Sequence, residues 1–150
     1  MPTHPNLYTD HQCLPAVALN QMLAGHQVTQ MIGVAAELGI ADLLSDGPQT
    51  VEDLALQSRA DAPSLRRVMR GLASIGVFAR LSDGRYDLTP VGSYLQSGVH
   101  GSLHGVAAFA NDPFLRGPWD ALLHTVKSGS AAWDHVFGMS GFQYLTDHPE

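Results

Sequence analysis

The chain has 150 residues and a net charge of −6, from 14 acidic and 8 basic side chains. That balance argues against a general nucleic-acid binder, and no apolar run approaches the ~20 residues needed to span a membrane. A single cysteine, Cys13, excludes an internal disulfide and fits a reducing compartment, the cytoplasm.

In chain order, residues 1–13 (MPTHPNLYTDHQC) carry two prolines and no hydrophobic period, and read as a flexible tail. They lack a basic stretch followed by an apolar core, so no signal peptide is expected. Leu14-Pro15 opens a helix with Val17, Ala18, Met22 and Leu23 on its apolar side, and Gly25 is expected to break it. A second helix over residues 26–38 places Val28, Met31, Ile32, Ala35 and Leu38 on one stripe. Gly39 ends it, residues 40–44 add a buried turn, and Ser45-Asp46-Gly47-Pro48 is a loop. These helices carry more apolar surface than a small domain needs for its own core. Val17, Met22, Leu23, Met31 and Ile32 are therefore candidates for a helix-on-helix dimer seam. The alternative is that they pack on residues 50–95.

Residues 50–95 are punctuated at every boundary. Thr50 and Asp53 have the form of a capping box and open a helix to about Ser58. Asp61-Ala62-Pro63 opens a second helix, where proline costs no hydrogen bond in the first turn. Leu65, Val68, Met69, Leu72 and Ile75 form its apolar face, and Gly76 can stop it. The period then changes. Val77, Ala79 and Leu81 alternate, as do Tyr86 and Leu88, around Ser82-Asp83-Gly84-Arg85. Asp-Gly suits a tight hairpin turn with positive φ at both central residues. Thr89-Pro90 caps a short helix over residues 91–95. Helix, turn, helix, hairpin is the order of a winged helix-turn-helix. The fold class is therefore mainly α, with one small antiparallel hairpin.

Beyond Leu95 the pattern is helical again. Ser102 can cap a short apolar helix over residues 103–110, and Asn111-Asp112-Pro113 is a turn. One longer helix is then expected, with Trp119, Leu122, Leu123 and Val126 on one face and Gly129 at its end. A last piece holds Phe142, Tyr144 and Leu145. The organisation expected is a tail (1–13), a winged-helix domain (14–99) and a helical linker (100–150).

Several constellations have a chemical reading and a plainer one. His100 and His104 are four residues apart, but Gly101 lies between them and no third ligand is near, so no metal site is expected. His124 has Asp120 one turn earlier, which reads as a surface pair. No nucleophile and base can be matched. Arg59, Arg66, Arg67, Arg70, Arg80 and Arg85 all lie in the winged segment, against Asp61 and Asp83. Arg66, Arg67 and Arg70 fall off the apolar stripe of their helix and could face a DNA groove. Asp83 at the wing tip and the acidic remainder of the chain weigh against that. A solvated helix face is the plainer account.

The runs AAELGIADLLSDGPQTVEDLA, LRRVMRGLASIGVFARLSDGRYDLTPVG, PWDALLHTVKSG and VFGMSGFQYLTDHPE together resemble the N-terminal half of small-molecule, S-adenosylmethionine-dependent O-methyltransferases of plant phenolic and bacterial polyketide or antibiotic pathways. The resemblance covers residues 14–150. It implies a homodimerisation domain with a winged-helix core, whose early helices meet the partner. It also implies that the segment from Trp119 to Phe142 runs beside a flat aromatic or polyketide-like acceptor. Phe137, Met139 and Phe142 are then pocket candidates, while Trp119 and Tyr144 read as core. The family's glycine-rich cofactor loop has no counterpart here: Gly138-Met139-Ser140-Gly141 is the nearest glycine pair and no apolar strand precedes it. The expectation is a non-catalytic chain that binds no cofactor, serving as the dimerisation and substrate-lid half of a methyltransferase. The alternatives are a stand-alone winged-helix DNA-binding regulator, or a non-catalytic partner of a full-length methyltransferase.

Overall fold

A computed structural model describes residues 15–147. The expected tail, with Cys13, lies outside the described residues. The elements are α1 (Pro15–Leu23), α2 (Gly25–Glu37), α3 (Ile40–Leu43), α4 (Val51–Ser58), α5 (Ala62–Ser74), β1 (Phe78–Arg80), β2 (Tyr86–Leu88), a 3₁₀ turn (Gly92–Leu95), α6 (His104–Ala110), α7 (Pro113–Asp120), α8 (Leu122–Ser128), α9 (Ala132–Phe137) and α10 (Gly141–Asp147).

The caps read from sequence form. The Thr50 hydroxyl oxygen accepts the Asp53 N–H at 3.1 Å, and its proton goes to the Asp53 carboxylate at 2.6 Å. Asp61 accepts the Ser64 N–H at 2.9 Å and starts α5. Gly39 and Gly76 take positive φ where α2 and α5 end. The helix expected to break at Gly25 does so one residue earlier: α1 ends at Leu23, Ala24 is a turn residue and Gly25 opens α2. The interruption is shallow, since Ala24 keeps helical φ and ψ, its N–H donates to the Asn20 carbonyl and its carbonyl accepts the Val28 N–H.

The core lies where α2, α3, α4, α5 and the hairpin meet. Ile40, Leu44, Leu54, Met69, Leu72, Phe78 and Tyr86 are fully buried. Each such side chain contributes about 1.5–3 kcal/mol by leaving water. Ile75, expected on the buried stripe of α5, is exposed, because the helix has ended at Ser74. In the hairpin, Phe78 pairs with Leu88, Ala79 with Asp87 and Arg80 with Tyr86. Phe78 is therefore the largest core contribution of β1, rather than the Val77/Ala79/Leu81 set. The turn also differs from the expected one. Gly84 alone has positive φ; its N–H donates to Leu81, and the Leu81 N–H donates to Arg85. This is a three-residue loop, Ser82-Asp83-Gly84, with glycine at the left-handed position. Gln49 exchanges both backbone hydrogen bonds with Tyr86 and extends the sheet by one residue.

Thr89 ties the hairpin to the 3₁₀ turn. Its hydroxyl donates to the Val77 carbonyl at 2.7 Å, with that of Gly76 at 2.9 Å, and accepts the Gly92 N–H at 3.0 Å. Gly92 sits so close that a side chain would run into the Val77 carbonyl. Asn111 then locks α6 onto α2: its Nδ2 donates to the Gln30 carbonyl at 3.1 Å, above Gly33.

The expected single helix after Asp112 is two helices, α7 and α8, joined at Ala121. Pro118 sits inside α7 and has no N–H to give the Phe114 carbonyl. Trp119, Leu122, Leu123 and Val126 are all exposed; Trp119, read as core, is 69% exposed. Among the described residues no helix is long and apolar enough to cross a membrane.

Candidate functional site

The helices after Asn111 gather their aromatic side chains around Phe114. Asp112 caps α7 by accepting the Phe114 N–H at 2.7 Å, which fixes the ring one turn from the α6 junction. Around it lie Trp133 at 5.1 Å edge-on, Phe137 at 5.8 Å, Tyr144 stacked at 4.5 Å and Phe109 at 6.4 Å between ring centroids. Such pairs add about 0.5–1.5 kcal/mol each beyond area burial. Gly117 lets α9 come close, since a side chain there would press on Val136 and Phe137.

Beside this cluster opens a cleft of about 480 Å³, lined by Phe114, Trp133, Asp134, Ser140, Gly141 and Phe142 among others. It is the size of a small-molecule site and largely apolar, with one carboxylate and one hydroxyl at its edge. Of the three residues named from sequence, Phe142 lines the cleft and is 88% exposed. Phe137 instead backs the wall through Phe114 and Tyr144, and Met139 is half-buried in the turn before α10. Tyr144, read as core, packs within the cluster. Phe114 and Trp133 are the residues that set the shape of the cleft. Phe114 escapes a reading of the sequence because a lone phenylalanine after Asp-Pro has no periodic partner.

The remaining candidates lie elsewhere. Arg66 pairs with Glu52, Arg67 donates to the Ser64 hydroxyl at 3.0 Å, and Arg70 shares their exposed face. At the wing tip Asp83 accepts from the Arg85 backbone N–H at 3.0 Å and its Nε at 2.8 Å. These bonds, the backbone one first, hold the Asp83 carboxyl below its usual range, so the tip carries a negative charge. Asp120 lies 3.8 Å from Arg116 rather than pairing with His124, whose ring stacks on His135 at 3.8 Å. His104 contacts the Leu95 carbonyl through Nδ1 at 3.3 Å. Among the described residues no group of three potential metal ligands converges.

The first helix, α1, buries none of its residues, and Val17, Met22 and Leu23 are exposed. Met31 and Ile32, on α2, pack against the core of their own chain.

Residues 20–98 match the family of the O-methyltransferase dimerisation domain. The chain is similar to the phenazine O-methyltransferase PhzM of Lysobacter antibioticus, 44% identical over 132 residues, which are 88% of this chain and 38% of that protein. It superposes on the crystal structure of LaPhzM with a TM-score of 0.85 at 42% identity, covering 91% of this chain and 41% of that one. It also resembles, at 29% identity and a TM-score of 0.69, the O-methyltransferase NcsB1 from neocarzinostatin biosynthesis, solved with S-adenosylmethionine and 2-hydroxy-5-methyl naphthoic acid; there the match covers 81% of this chain and 38% of the other. The chain thus spans about two fifths of the length of the relatives it matches.

Proposed function

We propose that this chain, which belongs to the O-methyltransferase dimerisation-domain family, pairs two copies of a methyltransferase and lends each an aromatic wall for a flat, hydroxylated acceptor. The observation that carries the reading is the Phe114 cluster and its cleft, in a domain whose family membership is one of dimerisation. A planar ligand gains area and stacking energy against Trp133 and Phe114 at little cost in ordering, because those two rings already hold one another, and the exposed Phe142 ring adds apolar area at the rim. Asp134 and Ser140 at the rim are placed to accept from or donate to polar substituents. Val17, Met22 and Leu23 form the dimer face, with Met31 and Ile32 supporting the helix beneath them.

The methyl donor in this reading is S-adenosylmethionine, as in the relative solved with it. The described residues do not fit that cofactor. Gly138 caps α9 with positive φ and Gly141 opens α10, so the glycine pair joins two helices, whereas a cofactor loop joins a strand to a helix. The role of these residues is therefore to assemble, bind and orient, the positional share of catalysis. The reaction would be transfer of a methyl group to an acceptor hydroxyl, in a cytoplasmic enzyme of secondary metabolism.

The experiment is a titration of the isotope-labelled chain with a hydroxylated phenazine, followed by two-dimensional NMR. Saturable shifts at the Trp133 indole N–H and the backbone of residues 140–142 are expected. Shifts absent there, or scattered over α4 and α5, would refute the cleft as acceptor site.

A further inference from the structure

We propose that the cleft beside Phe114 selects its ligand by charge. It takes neutral and cationic planar acceptors, such as a hydroxylated polycyclic aromatic bearing a protonated amine, and discriminates against those bearing a carboxylate, with Asp134 as the deciding residue. This rests on the acceptor-site reading above and names the class of substrate that the site takes.

Among the described residues that line the cleft, Asp134 alone carries a charge. Other acids of the chain are already compensated. Glu52, Asp83 and Asp120 each lie against an arginine, and Asp61 and Asp112 accept backbone N–H groups at helix starts. The exposed Asp134 carboxylate bonds to none of the described residues. It follows Trp133 in the first turn of α9, at the lip of a cleft whose apolar walls keep water from one side. A ligand feels a charge in such a setting more strongly than one on an open surface.

Counter-charges are placed elsewhere. Neither Arg116 nor Lys127, the basic residues of α7 and α8, lines the cleft, and Arg116 lies against Asp120. The ring of His135, next to Asp134 in sequence, stacks on His124 of α8. Donors for a carboxylate are few. The Ser140 oxygen caps α10 by accepting the Gln143 N–H at 3.2 Å. The Trp133 indole N–H, the one donor among the lining rings, is buried. The π-systems of Trp133, Phe114 and Phe142 carry negative faces, which attract a cation lying over them and repel an anion. Asp134 and the aromatic walls therefore act with the same sign.

The test titrates the isotope-labelled whole chain with tricyclic probes of matched shape at a pH of about 8, where imidazoles are neutral. The probes are phenazine, which is uncharged, 9-aminoacridine, a cation, and acridine-9-carboxylate, an anion. Two-dimensional NMR at Trp133 and residues 140–142 reads the affinity of each probe at this cleft. The cation should bind roughly tenfold more tightly than the anion, with phenazine between them. Asp134→Asn, an exposed and nearly isosteric change, should narrow that ratio roughly fivefold or more. Asp46→Asn removes the same charge from an exposed acid outside the cleft that also bonds to none of the described residues, and should leave the ratio unchanged. Equal binding of cation and anion by the wild type would overturn charge selection while the acceptor site stands. So would a ratio that Asp134→Asn leaves intact, or that Asp46→Asn narrows as much. If none of the probes shifts these resonances, the acceptor-site reading falls, and charge selection with it.

Discussion

Phe114 and Tyr144 stack with ring centroids 4.5 Å apart and planes 26° from parallel, joining the first turn of α7 to the last helix described. Phe114 also meets Trp133 and Phe137, so one ring holds three helices that have few other buried groups. Phe114→Ala should cost about 3 kcal/mol of local stability. Hydrogen exchange should show α7, α9 and α10 losing protection while α4 and α5 keep theirs. In a double-mutant cycle with Phe114→Leu and Tyr144→Leu, a coupling of about 1 kcal/mol is expected; independence of the two would show that the stack contributes nothing.

Gly33 faces the Asn111 carboxamide so closely that an added methyl group would overlap it. Gly33→Ala should therefore destabilise by about 1–3 kcal/mol in denaturant unfolding, despite the better helix propensity of alanine. Combined with Asn111→Ala, the penalty should shrink below the sum of the two, because removing the carboxamide makes room for the methyl. Strict additivity would show that the clash is relieved elsewhere.

Thr89 donates to the carbonyls just beyond α5 and accepts the Gly92 N–H. Thr89→Val keeps its shape and removes both functions. A loss of about 1–3 kcal/mol is expected in thermal unfolding.

Asp61 is held below its usual 3.8 by the hydrogen bonds it accepts from Ser64, side chain first and then backbone. Its folded pKa lies under the unfolded one, so between the two the unfolded chain binds more protons and stability rises with pH. The stabilisation is complete above the unfolded value and is lost as pH falls through the folded value. Asp83, held down by Arg85, acts with the same sign. Asp61→Asn keeps a capping oxygen and removes the titration. Its unfolding midpoint should fall less steeply than that of the wild type when the pH is lowered from about 5 to about 2.

Arg59 ends α4 with φ of 57°, and among the described residues it is the one non-glycine with positive φ. Arg59→Gly should raise stability by roughly 0.5–1 kcal/mol, since glycine adopts this conformation without the Cβ penalty. A lower melting temperature would mean that the arginine side chain makes up for its backbone.

Much of the chain is legible residue by residue. Thr50, Asp61, Gly39, Gly76 and Gly129 mark helix ends by their own chemistry, and each stands where that chemistry places it. The stripe Leu65, Met69, Leu72 is the buried face of α5 because a helix period is a local property. The hairpin is readable for the same reason, although its turn is not the two-residue one expected: Asp-Gly fits two loop lengths, and only the strand register chooses between them.

The tertiary structure was needed for everything that depends on residues far apart in sequence. An apolar period identifies a face without saying what covers it. Trp119, Leu122, Leu123 and Val126 share such a face and lie open, while Met31 and Ile32 on a similar stripe pack inward. Phe114 has no local signal at all, and it is the centre of the site because α9 and α10 return to it. Sequence alone determined the capped helix ends at Thr50, Asp61, Gly39 and Gly129, since capping acts over three or four residues. Only the folded chain decided which apolar faces are core, which line the cleft and which stay exposed, since burial is settled by what else arrives.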